Sequence, residues 1–373
     1  MDPGGHATKK ILFVATVARH FAYFHRPCFR ALRAAGWQVD AAAAMDRPLP
    51  ECANTYDLPF ARVPWRTQNL SAYRQLRRVL RDGQYDAVHC HTPVGGLLGR
   101  WAARGTGAKV LYTAHGFHFY RGAPLLNWLL YYPLERILAR RTDVLITIND
   151  EDEALARQKF PAGRVARVHG VGVDMARFAP VPPVERMVLR VRLGLPPEDP
   201  VLLCVAELNA NKQQSLLVRA MPSVLTQFPR ARLLLAGPDH FGGRIQALAR
   251  ELRVSHAVTF LGERGDVPQL LAAADVVLAA SLREGLPVNV MEAMAAGLPV
   301  IATDNRGHRE LIRPEETGLL VPPTDACAMA GAILRLLGDP ALRARMGQFA
   351  RDRAENYALP KVLAELMEIY QEI

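Results

Sequence analysis

Among 373 residues the chain carries only five cysteines, Cys28, Cys52, Cys90, Cys204 and Cys327. They lie far apart, form no C-x-x-C pair and are too few to staple a chain of this length. That excludes a disulfide scaffold and fits a reducing cytoplasm. No uninterrupted apolar run reaches about 18 residues, the minimum for a spanning helix. The opening stretch MDPGGHATKK is polar and leads straight into a strand, without the n-region and h-region of a signal peptide. The expectation is a protein that is soluble or peripheral to a membrane. Repeats and low-complexity tracts are also missing.

Apolar residues make up 50% of the chain and charged residues 22%, an ordinary globular balance. The length suits two domains of about 180 residues, each large enough to bury its own core. Charge is divided unevenly. Residues 1–190 hold 27 Lys and Arg against 15 Asp and Glu, whereas residues 191–373 hold 19 against 21. A surplus confined to one half implies an acidic partner for that half: an anionic bilayer, a lipid-linked phosphate or a nucleic acid. The alternative reading is that the arginine-rich, alanine-rich composition partly reflects genome base content.

Short apolar runs alternate with helical patterns at the spacing of βαβ units. In the first half strands are expected at 11–17, 38–43, 87–90, 109–113, 144–148 and 164–168, with helices such as 72–81 and 127–141. In the second half they are expected at 201–205, 231–236, 258–260, 276–280, 300–302 and 318–321. Such alternation argues two parallel sheets covered on both faces. The proline cluster in 175–197 reads as a linker, placing domains at 1–180 and 181–373. Helical patterns from Ala326 onward end the chain, and the last is free to return to the first domain.

The stretch SLREGLPVNVMEAMAAGLPVIATDNRGHREL, residues 281–311, gathers the most chemistry. An apolar strand run precedes it, and Val288, Met291 and Ala295 then repeat as the stripe of an amphipathic helix. Pro287 marks the helix start. Glu284 stands just before it and Glu292 in its second turn, leaning back toward the same mouth. Two carboxylates thus flank a helix N-terminus whose amides suit a phosphate. Carboxylates accept hydrogen bonds from sugar hydroxyls, so a nucleotide-sugar fits. Two glutamates eight apart, standing alone, are more readily read as a capping acid and a solvated helical residue.

The words around them are more specific. E-G-L-P-V-N-V-M-E resembles the E-x7-E signature of glycosyltransferase family 4, in the branch that builds exopolysaccharide or capsule. The resemblance covers nearly the whole chain. It rests also on 85–100 (YDAVHCHTPVGGLLGR), 110–150, 169–178 (HGVGVDMARF), 206–213 (AELNANKQ) and 260–271 (FLGERGDVPQLL). It implies an α/β fold of the GT-B kind, two Rossmann-like domains with parallel sheets facing across a cleft. Glu284 then contacts the donor sugar, Glu292 the ribose hydroxyls and Lys212 the diphosphate. Gly262, Glu263 and Arg264 lie beside the base, Gly285 and Leu286 belong to the donor loop, and His115 meets the transferred sugar. The implied reaction is transfer from a nucleoside diphosphate sugar, most often a uridine one, with retention of configuration. Other readings of the chain are an enzyme acting on a soluble small acceptor, a phosphorylase-like or sucrose-synthesising enzyme on the same architecture, and a basic nucleic-acid-binding module.

Three departures from the family pattern matter. The arginine often found five residues before the lysine is Glu207, so Arg306 in the DNRGHRE turn becomes the candidate second cation for the diphosphate. The commoner E-G-F-G is E-G-L-P, and Pro287 removes an amide donor, leaving Asn289 either to compensate with its side chain or to be a surface residue. The glycine pair after the first strand is replaced by ATVARHFAYFHRP, residues 15–27. That loop, with Arg19 and His20, is expected to meet the acceptor.

The acceptor implied by the resemblance is a saccharide on a polyprenyl diphosphate, with the protein peripheral to the inner face of the cell membrane and no nucleic acid bound. The segment APLLNWLLYYPLERILARR, residues 123–141, fits that setting through Trp128, paired tyrosines, Arg140 and Arg141. The same helix is also read as buried between sheet and neighbours. Asp150-Glu151-Asp152 sits at a helix start, where acids cap. His89 with His91, and His115 with His118, lack a cysteine or carboxylate to complete a zinc set, so no metal or other cofactor is expected.

Overall fold

The computed structural model describes residues 8–373, and the polar arm of residues 1–7 lies outside them. Two compact units form: residues up to Val171 with Pro360–Ile373, and Gly172–Leu359. In the first, strands β1 (Lys10–Val17), β2 (Gln38–Ala44), β3 (Asn54–Asp57), β4 (Ala87–Cys90), β5 (Lys109–Ala114), β6 (Val144–Thr147) and β7 (Arg164–Arg167) make one sheet. All its pairings are parallel, in the order β3-β2-β1-β4-β5-β6-β7. Continuous apolar runs such as Ile11–Val14 are fully buried because helices cover both faces. The helix Pro93–Ala102 lies close against β1 at Gly95, where a Cβ would come within 2.8 Å of the Ala15 backbone.

The second unit holds β8 (Val201–Val205), β9 (Arg232–Ala236), β10 (Val258–Gly262), β11 (Val276–Ala279), β12 (Val300–Thr303) and β13 (Gly318–Val321). Its parallel order is β10-β9-β8-β11-β12-β13. Each sheet reverses its direction of growth once, between β1 and β4 and between β8 and β11. Ligands of open parallel sheets bind beyond the carboxyl ends of the strands at that point.

Four expectations need correction. The strand β3 has no apolar signal in NTYD and is mostly exposed. It pairs because buried Asp40 accepts from the Asn54 backbone N at 3.0 Å and from its Nδ2. The segment 15–27 is not a loop: β1 runs directly into the helices Ala18–Phe24 and Arg26–Ala34, since without glycine its backbone favours helix. The proline-rich 175–197 is not a linker but part of the second unit, so the boundary lies at 171/172. Its helix Pro183–Arg192 is clamped there by Arg186 and Arg190, each 2.7 Å from an Asp275 carboxylate oxygen.

The last helix, Leu359–Gln371, packs its final residues into the first unit. The Tyr370 hydroxyl is hydrogen-bonded to buried His89 Nδ1 at 2.6 Å, and Glu365 accepts from the His169 backbone N at 2.9 Å. Among the described residues no helix is long and apolar enough to cross a membrane.

Candidate active site

At the reversal point of the second sheet the loop after β8 and the loop after β11 lie side by side. Leu282 N donates to the Asn211 carbonyl at 2.7 Å, and Asn211 Nδ2 donates to the Arg283 carbonyl at 3.0 Å. Asn209 fixes the approach to Lys212, its Oδ1 accepting from the backbone N of Asn211 and of Lys212. The result is an ion pair between residues 72 apart in sequence: Lys212 Nζ stands 2.6 Å from Glu284 Oε1, both side chains largely shielded from solvent.

The helix after this loop spans Val288–Ala295, with Pro287 at its cap. Asn289, expected at the ligand, instead donates from Nδ2 to the Val205 carbonyl at 2.9 Å and ties the helix start to β8. Leu286 is buried and Gly285 half-buried. Glu292 stands in the second turn of that helix and is partly buried. Burial pushes its carboxyl up to about 7, against the pull of the Arg177 guanidinium. Sequence reasoning missed Arg177, although it lies in the quoted HGVGVDMARF.

The turn after β12 closes a third side. Arg306 is buried rather than a surface turn residue, and its Nε donates to the Glu284 carbonyl at 3.3 Å. The neighbouring Gly307 makes this approach possible, since a Cβ there would lie 2.7 Å from Glu284 Cβ and 2.9 Å from its backbone carbon. His308, also missed, donates from Nδ1 to the Thr303 carbonyl at 2.6 Å, and burial holds its imidazole below the usual range. A glycine and a histidine inside a short turn gave no periodic signal by which to find them.

The remaining donor-side residues sit farther out. Gly262, Glu263 and Arg264 are exposed, Gly262 at φ 66°, and Arg264 forms a bidentate pair with Asp266 at 2.6 and 2.7 Å. Glu207 is exposed, 3.6 Å from His240 Nε2.

In the first unit the reversal point collects histidines. His91 follows β4 and His115 follows β5, with His91 Nδ1 3.1 Å from His115 Nε2. His20, from the helix after β1, and His25, from the turn that follows it, approach through their Nε2 atoms at 3.1 Å. His20 is therefore part of an inward cluster rather than a surface contact. Burial, and for His20, His25 and His91 their mutual repulsion, hold these imidazoles below the ordinary range, His115 at about 4. His118 does not join them; its ring packs against Tyr131, 4.8 Å between centroids.

Arg19 pairs with Asp46 at 2.6 Å on the surface. The helix Leu125–Ala139 turns Trp128 inward, its Nε1 donating to the Tyr120 carbonyl at 3.3 Å. It is not buried between neighbours: Leu125, Leu126, Leu129 and Leu130 are 72, 62, 64 and 55% exposed. Arg140 is exposed and Arg141 lies over the Trp101 ring, 5.0 Å from its centroid. Asp152, buried, accepts from the Phe117 backbone N at 3.1 Å and from Asn149 Nδ2, which anchors a loop.

A parallel sheet carrying a lysine, two carboxylates and a helix start at its reversal point is the layout of an enzyme that handles a phosphorylated ligand. Residues 26–171 match the glycosyl transferase 4-like domain, and residues 186–353 match glycosyl transferases group 1. EpsD of Bacillus subtilis (strain 168), named as a glycosyltransferase, is 46% identical over 367 residues, covering 97% of this chain and 96% of that one. The UDP-Gal:alpha-D-GlcNAc-diphosphoundecaprenol alpha-1,3-galactosyltransferase of Escherichia coli is 27% identical over 321 residues, with 83 and 82% covered. The structure of Anabaena Alr3699/HepE with UDP and glucose superposes with a TM-score of 0.80 at 20% identity, covering 98% of this chain and 100% of that one. The chain belongs to the group 1, family 4-like glycosyltransferases and has their GT-B fold of two parallel-sheet α/β domains.

Proposed function

We propose that this glycosyltransferase moves a sugar from a UDP-linked donor, with retention of anomeric configuration, to a saccharide on a polyprenyl diphosphate during cell-surface polysaccharide synthesis. The observation that carries the reading is the Lys212–Glu284 ion pair just ahead of the helix that carries Glu292. The chemistry asks for stabilisation of a departing diphosphate and of an oxocarbenium-like centre more than for a nucleophile. Lys212 and the free amides of the Val288–Ala295 helix meet the diphosphate, and Glu292 accepts from the ribose hydroxyls. Glu284 orients the sugar and, until the donor arrives, holds the Lys212 ammonium in place. Arg306 acts by fixing the Glu284 backbone, and Gly262 to Arg264 border the base. His115 keeps the role of a sugar contact through the nitrogen not turned to His91. The reaction as proposed enlists no metal at the donor.

Support for the lipid-linked acceptor comes from the acceptor in the name of the Escherichia coli relative and from the exposed leucines beside Arg136 and Arg140. The helix that carries them spans 15 residues. At 1.5 Å per residue it is about 22 Å long, too short to cross a bilayer, and suits the interface, with the enzyme peripheral to the inner membrane face. Incubation with UDP-sugars and a short polyprenyl-diphosphate saccharide tests both points. An α-linked product from an α-linked donor, absent with the free saccharide, is expected. A β-linked product overturns retention, and equal transfer to a soluble acceptor overturns the lipid requirement.

A further inference from the structure

The histidine cluster of the first unit has a composition that the transfer chemistry does not account for. His20, His25, His91 and His115 each offer a ring nitrogen, and these four atoms all lie within 4.8 Å of one another. Three chain segments supply them: the helical turn after β1, the end of β4 and the end of β5. The parallel order sets β1 between β2 and β4, and β4 beside β5, so the fold itself brings the segments together. Two of the nitrogen pairs are 3.1 Å apart. A tetrahedral zinc with Zn–N of about 2.0–2.1 Å has ligand edges of about 3.3–3.4 Å, so the His20–His25 edge is nearly set; His91 would ligate through one nitrogen only, and the remaining edges need closing.

A hydrogen-bonded ladder of neutral imidazoles leaves one group unexplained. His91 is 1% exposed, and its Nε2 is buried with no hydrogen-bond partner among the described residues. Adjacent His89 shows the contrast, with Nδ1 on the Tyr370 hydroxyl and Nε2 on Thr113 Oγ1 at 2.8 Å. An orphaned donor or acceptor in a closed interior is costly, and a metal ion is a natural partner for it. His20 and His115 are half-buried, which leaves an ion a way in.

We propose that His20, His25, His91 and His115 form a binding site for one divalent transition-metal ion of the class that imidazole prefers, zinc foremost. The site lies within the first unit and fixes the helix and turn after β1 against the ends of β4 and β5. It departs from the expectation of a metal-free chain, which considered only neighbours along the sequence.

The test uses the full chain without a histidine tag, stripped with chelator and titrated with ZnCl2 by calorimetry, with Co2+ as an absorbing probe. One ion per chain and a tetrahedral Co2+ spectrum are expected. Losing even an outer-shell partner weakens metal affinity about 10- to 100-fold, so His25→Gln and His91→Gln should each do at least that. His20→Gln, at a half-buried position, gives the same reading should the buried variants fail to fold, and His118→Gln should bind as the wild type does. Absence of stoichiometric binding, or binding unchanged in His20→Gln, overturns the proposal. UDP affinity measured on the same samples keeps this outcome separate from the donor site.

Discussion

Lys212 has two claims on its ammonium: the Glu284 carboxylate at 2.6 Å and, in the proposed reaction, the donor diphosphate. Glu284→Gln removes the first claim. Turnover should then fall more than about 10-fold, equivalent to roughly 1.4 kcal/mol in the barrier, while affinity for free UDP stays equal or rises. Steady-state kinetics beside calorimetry with UDP separates the two effects, and a parallel loss of both would show that Glu284 merely holds the fold. Glu292 gives a pH signature. With its carboxyl raised to about 7 by burial, it is mostly protonated at pH 6 and ionised at pH 8. An ionised carboxylate accepts both ribose hydroxyls, so donor KM should fall as pH rises from about 6 to 8, and Glu292→Gln should flatten that dependence. Stability moves the opposite way. A value above the roughly 4.3 of an unfolded glutamate means that this group's contribution is full below about pH 4 and is lost as pH rises through 7. Melting temperature across the same range reads it, and Glu292→Gln should remove that decline.

The helical period put both glutamates at one mouth, since a 3.6-residue repeat fixes which side chains share a face. Arg306 was legible as a cation near the site but not as a buried strut, because its burial depends on a close approach that only Gly307 permits. The histidines were misread for a related reason. Pairing His89 with His91 and His115 with His118 follows chain proximity, whereas the sheet order joins residues on different strands.

At the scale of elements, twelve strands were readable as apolar runs, and β3 was not, because its pairing comes from Asp40 rather than from its own side chains. The turn between β12 and the short helix Arg306–Leu311 offers a clean test of packing. Gly307→Ala drives a Cβ into Glu284, to 2.7 Å from its Cβ and 2.9 to 3.0 Å from its backbone, and should shift the donor loop. The expected result is weaker UDP binding with the circular dichroism spectrum retained, and unchanged affinity would mean that the loop has slack. The helix Leu125–Ala139 gives another. Full burial of a leucine contributes about 1.5–3 kcal/mol, and each nearby basic residue about 1 kcal/mol at an anionic surface. The wild type should sediment with anionic vesicles at low salt and release at high salt. Leu129→Ser with Leu130→Ser, both at exposed positions, should abolish sedimentation without lowering the melting temperature. Equal binding to neutral vesicles would contradict the interfacial role.

Across the whole molecule, the two units differ in charge as well as in site. The charge surplus belongs to residues 1–190, and the proposed donor residues other than His115 all fall in the unit Gly172–Leu359. In the proposed reaction this difference would be a division of labour, the basic unit meeting an anionic, lipid-linked acceptor and the second unit the nucleotide. The boundary between them was harder to read than the sheets, because prolines at 180, 182 and 183 look like a linker while Arg186 and Arg190 fasten that stretch to Asp275. The central claim is that the second unit binds a uridine diphosphate sugar through Lys212 and Glu292. It is tested most directly by thermal unfolding with UDP, GDP, ADP and their sugars, on the wild type and on Lys212→Ala. A ligand at 100 times its dissociation constant adds about 2.7 kcal/mol. The account predicts a shift of that size with UDP and UDP-sugars that is lost in Lys212→Ala. No shift with any nucleotide, or a UDP shift that survives intact in Lys212→Ala, would contradict it.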